Sequence, residues 1–325
     1  MPRWLRLLGP AVMITAGAGY LAALTTFQLS KRARLRALAT GSTVTTTAQG
    51  PIEFARAGDG PPVLVLPGSF GGYDQALKVG RDLADRGFAI IAVSRPGYLR
   101  TPLATGTTPA EQAEAMVVLL DSLRLPRVAV LGISGGGPSA LELAARHPDR
   151  VHGLVLVAAL SGPKAQPPTP PPAATWGDKI LGAEFSAWWQ LRQLERSGTK
   201  ALDSPIFSPD TKKRLAESPA LLDRFFELAW FRFPTAQRWA GYLNDRATFG
   251  QFDFAGFESI TTPTLIVHGT LDRNAPIEHG DRAATRIAGA RYLKIEGGDH
   301  YSSIARGDTV WTEVASFLRS IAATR

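Results

Sequence analysis

Cysteine is missing from all 325 residues. That excludes disulfides, thiolate metal sites, a cysteine nucleophile and lipid attachment through sulfur. Histidine is scarce: only five positions could supply an imidazole base. With so few histidines and no thiols no ligand cluster stands out, and neither a metal nor a redox cofactor is expected. The first 40 residues contain no acid. They hold Arg3, Arg6, Lys31, Arg32, Arg34 and Arg36, which make +6 of the formal net charge of +8 and leave +2 for residues 41–325. The basic excess is local, and no basic stripe interleaved with aromatics occurs elsewhere. A nucleic-acid partner is not expected. No internal repeat is evident.

Charge is also missing from Leu7–Ser30, which is mostly apolar or small. A helix of twenty-odd residues would match the ~30 Å hydrocarbon core of a bilayer. Basic residues flank the stretch on both sides. The expectation is a single N-terminal transmembrane helix, residues 7–30, that anchors the protein. The basic residues after it outnumber those before it, which tilts the rest of the chain towards the cytoplasm. A cleaved leader, and so a secreted protein, is the competitor. Ala37-Leu38-Ala39 has the small-x-small look of a cleavage site, but Lys31–Arg36 stands between it and the apolar run, which is the wrong order.

Beyond the basic linker the pattern alternates. Thr43–Thr47 and Ile52–Arg56 read as a hairpin around Gln49-Gly50-Pro51. Pro62–Leu66, Phe88–Val93, Val128–Ile133 and Val151–Ala158 are short apolar runs, as strands buried on both faces should be. Helical patterns at Ala76–Arg86, Pro109–Leu123 and Ser139–His147 separate them. This implies βαβ units, a mostly parallel central sheet and helices on both faces. At Ser161 the character changes. Six prolines in Ser161–Thr175 make a stiff connector. Residues 176–249 are helical and rich in aromatics, with five of the seven tryptophans, which concentrates apolar surface there. The pattern then resumes with Thr264–His268, Ile277–Ile287, Tyr292–Ile295 and Val310–Ile321. The expected organisation is an anchor and linker at 1–40, an α/β core at 41–160 and 255–325, and a helical cap at 161–254 inserted late in the sheet.

The chemistry centres on Val128–Pro138. An apolar strand runs into Gly132-Ile133-Ser134-Gly135-Gly136, and a helical pattern follows. A serine on so sharp a turn needs small neighbours, and its Oγ stands exposed beside a helix N-terminus. A phosphate-binding turn is the plainer alternative, but G-x-G-x-x-G and a following lysine are both absent. A serine nucleophile needs a base, and His300 in Gly297-Gly298-Asp299-His300 follows the last strand. Among parallel strands it reaches the same carboxyl edge as Ser134. Asp272, after the penultimate strand, is the expected orienting acid. Asp299 is nearer in sequence, but adjacent side chains seldom point the same way. The oxyanion donors expected are the N–H groups of Gly135 and of Ser69, with Phe70 the near alternative.

These pieces resemble the α/β-hydrolases. The resemblance spans roughly Thr43–Arg325. It rests on Gly132–Pro138, Ser94-Arg95-Pro96-Gly97-Tyr98, Ala144–Val151, His268-Gly269-Thr270-Leu271-Asp272 and Gly298-Asp299-His300. It implies a Ser134–Asp272–His300 triad, an oxyanion hole at Ser69 and Gly135, and a cap in Ser161–Phe254. Many members have His-Gly where this chain has Pro67-Gly68, and Asp where Ser94 stands. Members that open epoxides or cleave carbon–halogen bonds use an Asp nucleophile, which Ser134 argues against. The expected activity is serine hydrolysis of a carboxylic ester with a lipophilic acyl group. An amidase, a thioesterase, a carbon–carbon hydrolase or a non-catalytic binding module are the alternatives. Phe70, Trp188, Trp189 and Trp230 are expected to touch substrate, and Phe225, Phe226, Phe231 and Trp239 could join them in an apolar pocket.

Overall fold

The computed structural model describes residues 3–163 and 184–322, with side chains from residue 17 onward. Its centre is an eight-stranded sheet: β1 (Thr43–Thr47), β2 (Gly50–Ala57), β3 (Pro62–Leu66), β4 (Ala89–Val93), β5 (Val128–Ile133), β6 (Val151–Val157), β7 (Thr264–Gly269) and β8 (Arg291–Ile295). The spatial order is β1-β2-β4-β3-β5-β6-β7-β8. β1 and β2 form the expected hairpin, β2 pairs antiparallel with β4, and every later pairing is parallel.

Strand β3 shows why the central runs are wholly apolar. Val63 and Val65 point into one core layer, Leu64 and Leu66 into the other, and all are at most 1% exposed. The first layer is closed by α2 (Tyr73–Ala84) and by the last helix, α11 (Gly307–Ala322), through Ala76, Leu83, Trp311, Val314 and Leu318. The second is closed by α3 (Pro109–Ser122) and α4 (Gly137–Arg146), through Met116, Leu119, Leu120, Leu141 and Leu143. Apolar side chains on both faces of a strand leave no solvated side, so alternation disappears. α3 begins where its sequence dictates: Thr108 and Glu111 form a reciprocal capping box around Pro109.

Between β6 and β7 the described chain is helical: α5 (Glu184–Arg196), α6 (Pro209–Glu217), α7 (Pro219–Ala229) and α8 (Trp239–Phe249). Ser208 and Ser218 cap α6 and α7, each followed by proline at the first helical position. The proline-rich connector expected at Ser161–Thr175 lies outside the described residues from position 164, as does Trp176. The final α/β unit supplies α9 (Glu278–Arg286) and the short α10 (Ser302–Ala305).

The N-terminal expectation needs correction. Arg3–Thr40 is one helix, α1, and the stretch expected to be a linker is its last part. Ala, Leu and Arg dominate residues 32–39, and all three favour helix. Among the described residues no helix is long and apolar enough to cross a membrane. The side chains of residues 7–16 lie outside the described set. Within 17–30, Gly17, Gly19, Thr25, Thr26, Gln28 and Ser30 interrupt the apolar character. The second half of α1 instead packs on the protein. Phe27 is buried against Phe185, Trp188 and Phe233. Leu38 joins the core beside Tyr73, whose hydroxyl donates to the Leu38 carbonyl at 2.8 Å. Arg34 pairs with Asp74 at 2.6 Å, and Lys31 pairs with Glu184. A membrane anchor at residues 7–30 is therefore unsupported.

If α1 is part of the fold, Phe27→Ala should lower stability by about 3 kcal/mol, the usual cost of deleting a buried ring. Urea unfolding of the full-length chain measures it, and an unchanged midpoint would show that the docked helix contributes nothing.

Candidate active site

Ser134 directly follows β5 with φ +50°, a left-handed conformation that only a closely constrained turn imposes on a side-chain-bearing residue. The turn is possible because its flanks approach closely. A Cβ on Gly132 would stand 2.6 Å from the Ala140 Cβ, and one on Gly136 would stand 2.2 Å from the Leu66 carbonyl. Any side chain at either site would separate β5 from α4 or from β3. The Leu160 N–H, arriving from the end of β6, donates to the Ser134 carbonyl at 3.0 Å. Ser134 itself is half-buried, accessible from the carboxyl edge.

The loops after β7 and β8 meet at that edge. His300 Nδ1 and Asp272 Oδ2 are 2.7 Å apart, with Asp272 buried and His300 partly accessible. The other oxygen of Asp272 accepts the N–H groups of Asn274 and Ala275 at 2.8 and 2.9 Å. Burial works against the Asp272 charge, but His300 and these donors outweigh it and hold the carboxyl below its ordinary range. An ionised Asp272 selects the His300 tautomer with hydrogen on Nδ1, which leaves Nε2 free to accept a proton. Asp299 turns away. It accepts the Tyr301 N–H at 2.8 Å and the Ser208 N–H at 2.6 Å, tying the His300 loop to the start of α6. Leu160, Phe249 and Ala275 form a small buried cluster joining the Ser134 turn to the Asp272 turn.

The loop after β3 closes over the serine. A Cβ on Gly68 would stand 3.6 Å from Ser134 Oγ, and one on Gly135 would stand 3.1 Å from the Ser69 nitrogen. Ser69 and Gly135 therefore face each other across the Ser134 turn. Every residue of Pro67–Phe70 is gripped. Arg95 Nε donates to the Pro67 carbonyl at 2.9 Å, and Gln75 accepts the Gly68 N–H at 2.9 Å. Ser69 Oγ donates to Asp245 at 2.6 Å, and Arg238 Nη1 donates to the Phe70 carbonyl at 2.8 Å. Phe70, at φ +64°, is held in a strained left-handed state by these contacts. Asp245 also receives both terminal nitrogens of Arg95, at 2.9 and 2.6 Å, and the Tyr98 hydroxyl at 2.6 Å. Arg95 and Arg238 are fully buried, and Arg238 is paired with Asp74 at 2.8 Å.

The profile of the alpha/beta hydrolase fold family matches residues 61–306. The chain belongs to that family. An alpha/beta hydrolase fold protein of Nakamurella multipartita is 34% identical, with a TM-score of 0.71 over 86% of this chain and 99% of that one. An uncharacterized hydrolase of Bacillus subtilis is 28% identical over 77% of this chain and 88% of its own length. A 2-hydroxy-6-oxononadienedioate/2-hydroxy-6-oxononatrienedioate hydrolase of a Pseudomonas species is 26% identical over 83% and 92%.

In this hydrolase the expected aromatic contacts divide. Phe70 lies in the loop after β3 and lines a cavity beneath α5. Trp188 is 3% exposed and packs with Phe27 and Phe185, and Trp230 sits edge-on to Phe233 in the same cluster. Trp189 is 43% exposed. None of these three tryptophans borders that cavity. Phe225 and Phe226 are buried with Phe207, against Tyr301, and Phe231 is buried too. Trp239 packs on Tyr242, whose ring stacks on Phe70. Sequence reasoning missed Gln75, Asp74, Asp245 and Arg238. Their charged or polar types, in helices and a short helical turn, carry no local sign of burial. Arg95 stands out in the sequence only as part of the Ser94–Tyr98 motif.

His279 in α9 anchors the chain where it leaves β6. Its Nδ1 accepts the Ser161 N–H at 3.2 Å, and its carbonyl accepts the Ser161 hydroxyl at 2.7 Å. Burial, then the charges of His268 and Arg282, depress it to about 4. The unfolded chain, with an ordinary histidine, binds the extra proton first, so stability should fall as pH drops from about 6.5 towards 4, by at most ~3 kcal/mol. Urea midpoints across that range should fall less steeply for His279→Asn than for the parent. The Asp245 network makes a second prediction. Asp245→Leu leaves Arg95 buried without its anion and should cost about 3–5 kcal/mol, while adding Arg95→Met should restore much of the loss. Thermal unfolding of the single and double variants separates the two states.

Proposed function

We propose that the protein is a serine hydrolase that cleaves carboxylic esters through an acyl-enzyme, with Ser134 as nucleophile, His300 as base and Asp272 as its orienting acid. The observation that carries this reading is the 2.7 Å Asp272–His300 contact at the sheet edge where Ser134 occupies a left-handed turn. The N–H groups of Ser69 and Gly135 serve as the oxyanion hole. In this reading residues 41–160 and 255–325 act as the catalytic core, and residues 161–254 act as a cap that selects substrate.

The mechanism follows from the protonation states. Asp272 stays ionised and holds His300 with Nε2 unprotonated. His300 takes the Ser134 proton as Oγ attacks the ester carbonyl, and the imidazolium formed is stabilised by Asp272. Charge moving onto the carbonyl oxygen is met by two backbone donors already fixed in place. Such preorganised donors are worth more than mobile ones, because they do not have to reorient during reaction. His300 then protonates the departing alcohol. Water enters by the reverse route and frees the acid. Pro67 stands where many relatives have histidine, and the grip of Arg95, Gln75, Asp245 and Arg238 supports the same loop by other means. Trp188 is buried and the partly buried Trp230 packs on Phe233, which removes an argument for a lipophilic acyl group.

A second reading, hydrolysis of a carbon–carbon bond beside a ketone, draws on the name of the Pseudomonas relative. It uses the same serine, so product analysis with a 6-oxo-dienoate substrate separates it from ester hydrolysis.

Labelling with a fluorophosphonate should modify Ser134 alone and vanish in Ser134→Ala. His300→Ala and Asp272→Asn should lower kcat on 4-nitrophenyl butyrate by ~10³–10⁴-fold. Correctly folded protein that takes no label and cleaves no ester would overturn the reading.

A further inference from the structure

Arg232 stands over the end of the loop that follows β3. It belongs to the short helical turn Trp230–Arg232, and its guanidinium sits 5.2 Å above the ring of Phe70, the residue after Ser69. Its charge is also felt by Tyr301, the residue after His300. Burial pushes the Tyr301 hydroxyl up, and the positive charge of Arg232 works against that rise. Arg232 and Phe70 share a cavity of about 220 Å³ with Ala187, Leu191, Leu194 and Gln190. Apolar atoms make up most of the wall, and Gln190, Thr235 and Arg232 are its polar side chains.

The pairing of the surrounding arginines makes Arg232 distinctive. Arg95 is matched by Asp245, Arg238 by Asp74 and Arg224 by Asp82. Among the described residues no acidic side chain pairs with Arg232. Its guanidinium is nonetheless placed, because Phe70 beneath it is itself stacked on Tyr242 at 4.1 Å. A cation held over an aromatic face loses less freedom when it binds an anion. A guanidinium presents a planar fork whose spacing matches the two oxygens of a carboxylate. A mostly apolar cavity lined in part by an arginine that has no acidic partner among the described residues fits a short hydrocarbon chain that ends in a carboxylate.

We propose that Arg232 forms an anion subsite for the acyl group, so that the substrates are esters whose acyl chain ends in a carboxylate. This rests on the hydrolase reading above. The methylene chain lies against Ala187, Leu191 and Leu194, and the terminal carboxylate takes two hydrogen bonds from Arg232. Arg232 is accessible to solvent, so the preference is moderate rather than absolute. It acts through specificity: Arg232 touches the remote end of the substrate and not the reacting carbonyl.

The test uses the full-length protein and pairs of substrates built on one dicarboxylic acid. Each pair is a 4-nitrophenyl hemi-ester and its neutral methyl 4-nitrophenyl diester, across the succinate, glutarate and adipate series. The parent should favour at least one hemi-ester over its diester by about tenfold in kcat/KM, carried by KM. Arg232→Met should collapse that ratio towards one, and Arg232→Lys should restore part of it. If hemi-ester and diester are cleaved equally by the parent, the subsite is refuted while the hydrolase reading stands. An unchanged ratio in Arg232→Met also refutes it. If Ser134 takes no fluorophosphonate and neither ester is cleaved, the hydrolase reading fails and the subsite falls with it.

Discussion

One buried carboxylate organises the active-site side of this protein. Asp245, on α8, collects both terminal nitrogens of Arg95, the hydroxyl of Tyr98 and the hydroxyl of Ser69. Removing these groups from water is costly, and only near-complete mutual hydrogen bonding offsets the cost. Burial alone would favour loss of the Arg95 charge, but Asp245 reverses that tendency and holds the proton more firmly than in water. The neighbouring Tyr98 hydroxyl is pushed far up by burial and by the same carboxylate, so it stays a donor. The network crosses from the insertion after β6 to the loops after β3 and β4. It makes the geometry of the Ser69 loop a property of the insertion as well as of the sheet.

A parallel sheet explains why so few residues suffice. Strands β3 to β8 run in one direction, so the turns after β3, β5, β7 and β8 all open at one edge. Those turns carry Ser69, Ser134, Asp272 and His300. Each side chain needs only a short loop to reach the others, and the sheet sets their separation. Close backbone approaches at Gly132 and Gly136 keep the serine turn from relaxing.

The N-terminal helix shows where local reading fails. Residues 17–30 look like half of a span when only their apolar character is counted. In three dimensions Phe27, Arg34 and Leu38 meet partners from 35 to 206 positions away, among them Tyr73, Asp74, Phe185 and Phe233. A buried ring and a part-buried ion pair leave no trace in the hydropathy of the segment that carries them. Trp188 and Trp230 illustrate the same limit. Aromatic content marked the insertion as important, but many of the rings fill its core, because large apolar side chains are buried wherever a helical layer must be closed.

What the sequence by itself determined is the local chemistry. Apolar runs of strand length, separated by helical patterns, dictate a parallel sheet. The G-x-S-x-G turn, the two loops that end the last strands, and their order along the chain follow from residue type and spacing. Those signals are short-range and repeat at the period of the backbone, so they are legible without a fold. The tertiary structure alone decided which charges meet. Asp245 with Arg95, Asp74 with Arg238, and Arg232 above Phe70 depend on contacts between segments more than 100 residues apart. No periodicity records such contacts, because a buried ion pair is specified by the position of both partners in space and by neither partner's neighbours in sequence.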